Sequence, residues 1–263
     1  MPVRLEEILS STRQKLPALQ DRRESLERAL DGSHVTHPSF RAALRRPSIA
    51  VIAELKRRSP SAGSIREDLD PGDRAALYAG HGAAAISVLT NGPYFGGSIQ
   101  DLRVATQRCT LPVLRKDFIL DEVQVLEARA AGASGVLLIV RVLGRSRLTS
   151  LLQYGARLGL DALVEVHTPA ELDIALESNA HVIGVNSRDL DTFTVDVRGA
   201  WELLARIPGD RIAVAESGIS TQRDVAHVAE CGADAVLIGT ALSAAEFPAQ
   251  LLGEISSVPR HGR

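Results

Sequence analysis

Eight short apolar runs, rich in β-branched residues, recur along the chain from residue 49 onward and constrain its fold. They begin about 20 to 35 residues apart, and the stretches between them carry apolar residues at helical spacing. Strands buried on both faces and joined by crossover helices give this pattern. The runs span residues 49–54, 84–89, 111–114, 135–140, 162–166, 182–186, 212–216 and 235–239.

The number of these runs favours a closed barrel. Eight strand–helix units close a barrel, whereas an open doubly wound sheet usually needs fewer. We therefore predict an α/β protein with a single (β/α)8 TIM barrel over residues 46–263. Residues 1–45 lie outside the pattern and are rich in Arg, Glu and Leu. We predict that they form an N-terminal helical extension that packs on the barrel and helps to cover its mouth.

Charge and cysteine content narrow the classes of partner and compartment. The 263 residues include 30 basic and 32 acidic side chains, and this balance argues against a nucleic-acid or membrane-surface protein. Cys109 and Cys231 are far apart in sequence, so we expect two buried free thiols and neither a disulfide nor a zinc site. The first residues lack the apolar stretch of a signal peptide. We expect a cytoplasmic protein.

Charged residues occur at or near the ends of several predicted strands. The working residues of (β/α)8 barrels lie at these carboxyl ends and in the loops that follow. A single charge there could belong to a structural ion pair, but burying several near one axis is costly unless they serve a site. The candidates are Glu54, Lys116, Glu165 and Glu216 in the runs or directly after them, with Lys56, Asn186 and Ser217 beside them.

The last two runs carry a second signal. Gly218 follows the seventh run, and Gly239 with Thr240 ends the eighth, which places small residues beside predicted helix N-termini. Backbone N–H groups at such positions bind phosphate, and barrels commonly hold phosphate at this location. Each glycine alone could be a turn residue, but together they favour a phosphate site. A larger residue at position 239 should exclude the phosphate.

Long motifs in the chain resemble the indole-3-glycerol phosphate synthase family. The matching stretches follow the family order from residue 49 to about residue 245. They include I-A-E-L-K-R-R-S-P-S-A-G-S-I, P-V-L-R-K-D-F-I-L-D-E-V-Q, L-V-E-V-H, I-G-V-N-S-R-D-L and A-E-S-G-I. The E-x-K-x-x-S-P-S, R-K-D-F and N-S-R-D-L motifs are specific to this family and not to barrels in general.

The resemblance implies the conversion of 1-(2-carboxyphenylamino)-1-deoxyribulose 5-phosphate into indole-3-glycerol phosphate, carbon dioxide and water, with no metal or organic cofactor. Lys116 matches the general acid of ring closure, and burial or like-charged neighbours would make its ammonium more acidic. Glu165 matches the carboxylate that serves the later dehydration. The other members of the polar active-site shell are matched by Glu54, Lys56, Asn186, Glu216 and Ser217.

The resemblance also implies a set of substrate-binding residues. Positions around the phosphate are matched by Ser59, Gly218, Gly239 and Thr240, and the anthranilate end by Arg188. The apolar slot for the aromatic ring is matched by Phe95, Phe118, Leu137 and Leu190. Ala62 stands where many members have a basic residue, which would weaken the attraction of anions.

Three alternatives compete with this interpretation. Phosphoribosylanthranilate isomerase is a related barrel, but its acid–base pair resembles a Cys at the end of strand one, where this chain has Glu54. A catalytically silent barrel that binds a phosphorylated metabolite or a partner protein has no reason to keep Lys116 and Glu165. The pair His34 and His37 suggests a metal, but without a nearby third ligand a loop or helix-capping role is favoured.

The expected partners follow from the same interpretation. We expect a monomer that binds a small phosphorylated substrate and can interact with other enzymes of the tryptophan pathway. Nucleic acid and membranes are not expected as partners.

Overall fold

A computed structural model describes residues 5–31 and 38–262 of the chain. Eight strands pair in parallel, and β1 hydrogen-bonds to both β4 and β10, so that the sheet closes. The predicted single (β/α)8 barrel is therefore confirmed. The barrel strands are β1 (Ala50–Leu55), β4 (Ala85–Leu89), β5 (Val113–Lys116), β6 (Gly135–Ile139), β7 (Asp161–Val166), β8 (Val182–Asn186), β9 (Ile212–Glu216) and β10 (Ala235–Ile238). A small hairpin of β2 (Arg58–Ser59) and β3 (Gly63–Ser64) follows β1.

Helices follow every barrel strand and form the outer layer. Several begin at a side-chain cap, such as Thr168 before α9 and Thr221 before α11, whose hydroxyl groups accept a backbone N–H. The helices are α1 (Leu5–Gln20), α2 (Arg23–Asp31), α3 (Phe40–Ala43), α4 (Pro71–Gly80), α5 (Gly92–Phe95), α6 (Ile99–Arg108), α7 (Glu122–Ala130), α8 (Val140–Arg157), α9 (Pro169–Glu177), α10 (Val197–Leu204), α11 (Gln222–Glu230), α12 (Thr240–Ala244) and α13 (Pro248–Ser256). None of the described helices is long and apolar enough to cross a membrane.

Two apolar layers hold the barrel together. One lies between the strands and the surrounding helices and includes Val51, Val136 and Val236. The other fills the barrel interior and includes Ile52 and Leu114. Strands whose residues alternate between these two layers are buried on both faces, which is why their sequences are continuously apolar.

The helices before β1 contact the barrel at both of its ends. Phe40 and Leu44 are fully buried and belong to the interior apolar layer. Ser39 Oγ donates a hydrogen bond of 2.9 Å to Asp161, the first residue of β7, so α3 lies at the amino ends of the strands. Ile8 of α1 belongs to the same apolar layer but lines the cavity at the opposite end.

The two cysteines are free thiols, as predicted, but they are half-buried rather than buried. Cys109 follows α6 and precedes β5, so it lies at the amino ends of the strands, away from the carboxyl ends. This position does not suit the acid–base role that a Cys at the end of the first strand has in the isomerase alternative.

Candidate active site

A cavity of about 440 Å³ lies at the carboxyl ends of the barrel strands. All sixteen residues predicted from the sequence to be catalytic or substrate-binding line it. Side chains at the ends of parallel strands in a closed barrel converge on the axis, which brings together residues that are far apart in sequence. The predicted residues on the wall are Glu54, Lys56, Ser59, Phe95, Lys116, Phe118, Leu137, Glu165, Asn186, Arg188, Leu190, Glu216, Ser217, Gly218, Gly239 and Thr240.

Lys116 occupies the centre of the polar wall. Its Nζ atom lies 3.6 Å from Oε2 of Glu165 and 3.6 Å from Oε2 of Glu216. Burial favours the neutral amine, but the charges of Glu165, Glu216 and Glu54 outweigh it and raise the pKa of Lys116 above its ordinary value. The expectation that burial or like-charged neighbours would make this ammonium more acidic was therefore wrong, because the charges of the neighbouring glutamates outweigh burial.

For Glu216, burial has a larger effect on the pKa than the charge of Lys116. It is the last residue of β9, and its side chain is 2 % exposed. Burial is the main cause, and the negative charges of Glu165 and Glu54 add to it, so that the pKa of Glu216 rises to about 8 although Lys116 opposes the shift. Near neutral pH this carboxyl group can hold a proton and donate it.

Glu54 and Lys56 form a second ion pair on the cavity wall. Glu54 Oε1 lies 3.5 Å from Lys56 Nζ. Gly239 directly follows β10, the strand that pairs with β1. It leaves the space that this carboxylate fills, because a Cβ atom there would collide with Glu54 Oε1. Gly184 of β8 makes room for Glu216 in the same way. Glycines on the barrel wall thus fit the two carboxylates into a narrow interior.

The loop after β8 fixes two further predicted residues. Asn186 Oδ1 accepts the backbone N–H of Arg188 at 3.0 Å. The Arg188 guanidinium donates to the carbonyl of Phe193 at 3.0 Å, and burial lowers its pKa. Arg188 is thus held as a cation on the wall of the cavity by its own loop.

Backbone groups at the last two strands face the same cavity. Ser217 and Gly218 both have left-handed φ angles, 66° and 70°, and Ser217 is one of only three described non-glycine residues with a positive φ. Such a conformation in a non-glycine residue is costly and is common at functional sites. Helix α12 begins at Thr240 with no side-chain cap, so its first N–H groups keep their capacity to bind an anion.

Apolar residues line part of the same cavity. The rings of Phe95 and Phe118 lie 6.4 Å apart between centroids, and Leu137 and Leu190 belong to the same apolar layer. Ile8 completes this wall from α1. A flat aromatic ring can pack in such a slot while its polar substituents reach the charged side.

The R-K-D-F motif divides between the cavity and the barrel exterior. Lys116 points inward, whereas Arg115 is buried outside the barrel and pairs with Asp117 at 3.3 Å and Glu127 at 3.1 Å. Glu127 also pairs with Arg22 of the N-terminal segment at 3.2 Å. Arg115 is thus a structural residue that ties the site loop to the helices before β1.

Sequence reasoning missed several contributors to this site, among them Ile8, Gly184 and His167. Ile8 lies in the N-terminal segment, which does not have the sequence pattern of the barrel. The role of Gly184 becomes visible only in three dimensions, where it lies against the side chain of Glu216. His167 was visible in L-V-E-V-H, and its Nε2 lies 3.4 Å from Glu165 Oε1. His34 and His37 lie outside the described residues. Within the described ranges, no group of three or more His, Cys, Asp or Glu side chains could hold a metal ion.

A closed (β/α)8 barrel with acid–base side chains gathered at the carboxyl ends of its strands defines a barrel enzyme. Comparison with known proteins identifies which kind. The family model for indole-3-glycerol phosphate synthase matches residues 5–254, and the chain belongs to this family.

Individual relatives agree with the family match. An indole-3-glycerol phosphate synthase of Opitutus terrae is 45% identical over 262 residues, 97% of this chain and 98% of that protein. An indole-3-glycerol phosphate synthase 2 of Streptomyces coelicolor is 50% identical over 209 residues, 80% of this chain and 81% of that protein. Among solved structures, a thiamine phosphate pyrophosphorylase from Pyrococcus furiosus has a TM-score of 0.61 at 16% identity and covers 82% of this chain and 96% of its own, a likeness of fold alone.

Proposed function

We propose that this chain is an indole-3-glycerol phosphate synthase, a carboxy-lyase of tryptophan biosynthesis. Its substrate is 1-(2-carboxyphenylamino)-1-deoxyribulose 5-phosphate, and its products are indole-3-glycerol phosphate, carbon dioxide and water. The observation that carries the proposal is Lys116, a half-buried ammonium that lies 3.6 Å from Glu165 and 3.6 Å from Glu216 in a cavity that also has an apolar slot.

Ring closure begins at the ring carbon that bears the carboxylate. This carbon forms a bond to the ribulose carbonyl carbon, and the carbonyl oxygen takes a proton from Lys116. Carbon dioxide then leaves, and its bonding electrons restore the aromatic ring. The ammonium suits the first step because the aromatic carbon is a weak nucleophile and the carbonyl oxygen becomes negative as it is attacked.

Dehydration completes the indole. The new hydroxyl group leaves as water with a proton from a carboxyl group, and a base removes a proton from the adjacent carbon. We assign these transfers to Glu165 and Glu216, which flank Lys116, with Glu54 lining the same cavity. The pKa of Glu216, raised to about 8 by burial, suits a proton donor near neutral pH.

The substrate is anchored at its two anionic ends. Its phosphate binds the backbone N–H groups of Gly218, Gly239 and Thr240, the hydroxyl of Ser59 and the ammonium of Lys56. Its carboxylate faces Arg188. The support for this assignment is the uncapped start of α12 and the left-handed turn at Ser217 and Gly218. A local positive field captures the anion although the chain has a net charge of −2.

The experiment is a turnover assay of the purified chain with this substrate, followed by indole fluorescence. We expect product formation with competitive inhibition by inorganic phosphate. Gly253 provides a matched control for changes at the phosphate site, because nothing lies within 4 Å of a Cβ added there. A wild-type chain that forms no indole product would overturn the proposed function, and non-competitive inhibition would overturn the phosphate assignment alone.

We further propose a compartment and an oligomeric state for this chain. Two free thiols fit a reducing cytoplasm. A complete site built from one chain fits a monomer, and association with other tryptophan-pathway enzymes belongs to the same proposal.

A further inference from the structure

The imidazole of His167 lies on the opposite side of Glu165 from Lys116. Its Nε2 atom is 3.4 Å from Glu165 Oε1, while Lys116 Nζ is 3.6 Å from the other carboxylate oxygen. Within the described part of the chain, neither Nε2 nor the carboxylate oxygens of Glu165 form a hydrogen bond. The two buried groups therefore face each other at ion-pair distance without a hydrogen bond, an arrangement that calls for an explanation.

The other ring nitrogen of His167, Nδ1, contacts a series of side chains that leads toward solvent. His167 Nδ1 lies 3.2 Å from Glu171 Oε2, and Glu171 pairs with Arg141 at 3.2 Å. The exposed fraction of the side chains rises along this series, from 1 % for Glu165 and 5 % for His167 to 12 % for Glu171 and 26 % for Arg141. The series is a graded path from the buried site to the surface.

A second cavity, of about 450 Å³, lies at the outer end of this path. Arg141 and His167 line it together with the exposed residues Asp196, Glu202 and Arg206, so it opens at the surface. Asn186 lines both this cavity and the active site. His167 thus stands between an outer, water-accessible cavity and a catalytic carboxylate.

The proposed reaction needs a proton from outside. The carbonyl oxygen takes one proton in ring closure, and the loss of carbon dioxide from a carboxylate releases none. The dehydration uses one proton and releases one. Each turnover therefore consumes one proton, and Lys116 must regain it before the next substrate reacts.

Resting on the proposed function, we propose that His167 relays this proton from the outer cavity to the Glu165–Lys116 pair. The imidazolium gives its Nε2 proton to Glu165 Oε1 and becomes neutral imidazole. The protonated carboxyl group turns about its Cγ–Cδ bond and passes the proton to the neutral amine of Lys116. The imidazole regains a proton from water in the outer cavity. No other bond is made or broken.

The electrostatic surroundings suit this role. The groups that face the imidazole are Glu165 from β7, Glu171 from α9 and Arg141 from α8. Burial lowers the pKa of His167, but the hydrogen bond to Glu171 and the charges of Glu165 and Glu171 outweigh burial and the opposing charge of Arg141. The pKa of His167 is therefore raised above 6.5. The raised pKa favours the imidazolium form that the relay requires, and the capacity of the imidazole to donate a proton declines as the pH rises through its pKa.

The first test separates the first turnover from later ones. In His167→Gln the side chain can still hydrogen-bond to Glu171 but cannot carry a proton. Lys116 begins protonated, so we expect a first turnover near the wild-type rate and then a steady-state kcat about tenfold lower, less than the loss of a direct general acid would cause. The solvent deuterium isotope effect on kcat should increase.

The second test is chemical rescue. His167→Ala leaves a gap beside the outer cavity, and imidazole added to the buffer should restore a large part of its steady-state rate. His81→Gln, a change at an exposed histidine that bonds to the Leu77 carbonyl, is the control that imidazole should not affect.

Several results would overturn the relay. An unchanged kcat in His167→Gln would do so, as would an equal loss in first and later turnovers with no rescue, because that is the result of a packing defect. Failure of the proposed function is a separate outcome, since it requires that the wild-type chain form no indole product.

Discussion

Gly239 lies so close to the carboxylate of Glu54 that a Cβ atom at position 239 would collide with it. The glycine therefore has two tasks: its backbone borders the proposed phosphate site, and its lack of a side chain keeps Glu54 in place. From the sequence we expected a larger residue at this position to act by excluding phosphate. The structure adds a direct effect on a catalytic carboxylate.

We predict that Gly239→Ala lowers kcat at least about tenfold as well as raising KM, since a displacement of a catalytic group by about 1 Å is costly. Steady-state kinetics at several substrate concentrations separates the two effects. Gly253→Ala in α13 is the control and should leave both parameters unchanged. A variant in which only KM rises would show that Glu54 tolerates the contact.

Lys116→Ala should lower kcat by about 10²-fold or more, in the range for positioned proton transfer, with a much smaller change in KM. The same change leaves Glu165 and Glu216 without their shared cation, and thermal unfolding should report whether the fold survives. Lys15→Ala, at an exposed position in α1, is the matched control. Near-normal turnover in Lys116→Ala would remove this residue from the mechanism.

Glu216 should make stability depend on pH. Its pKa is raised from 4.5 to about 8 in the folded protein, so folding binds this proton more tightly. The resulting stabilisation is fully present below about pH 4.5 and is lost as the pH rises through about 8, by at most about 1.4 kcal/mol per pH unit.

Urea unfolding of the wild type and Glu216→Gln between pH 5 and 9 measures this dependence. The unfolding free energy of the wild type should fall relative to that of Glu216→Gln as the pH rises. Glu246→Gln, at an exposed site, should show no such trend. A pH-independent difference for Glu216→Gln would contradict the raised pKa.

Two truncations should separate the roles of the N-terminal segments. Removing residues 1–31 takes away Ile8 from the cavity wall, and we expect a folded barrel with lower kcat and higher KM. Removing residues 1–45 also takes away the fully buried Phe40 and Leu44, and should destabilise the barrel by several kcal/mol. Phe40→Ala in the full chain should lower Tm while leaving kcat unchanged. Equal stability of the two truncations would contradict this division.

Much of the fold was predictable because strands buried on both faces have a continuous apolar sequence. The strand ending at Asn186 and the strand ending at Glu216 have the predicted bounds, whereas the third strand extends through Lys116, two residues beyond its apolar run. That run ended early because Arg115 and Lys116 are charged, one paired outside the barrel and the other placed in the cavity.

The members of the site were also predictable from their positions at strand ends, but their interactions were not. Sequence cannot show that Lys116 has carboxylate neighbours, because Glu165 and Glu216 meet it only through closure of the barrel. The same holds for Gly184, whose importance depends on a side chain from the next strand. These properties arise from three-dimensional proximity.

The closure of the barrel has a consequence for synthesis on the ribosome. Ser243 Oγ donates a hydrogen bond to the Glu54 carbonyl across 189 residues of sequence, and β1 lies between β4 and β10. The first catalytic residue to be translated therefore remains without one of its flanking strands until almost the whole barrel has emerged. During that interval one edge of β1 is unpaired, and such an edge exposes the nascent chain to aggregation until β10 is made.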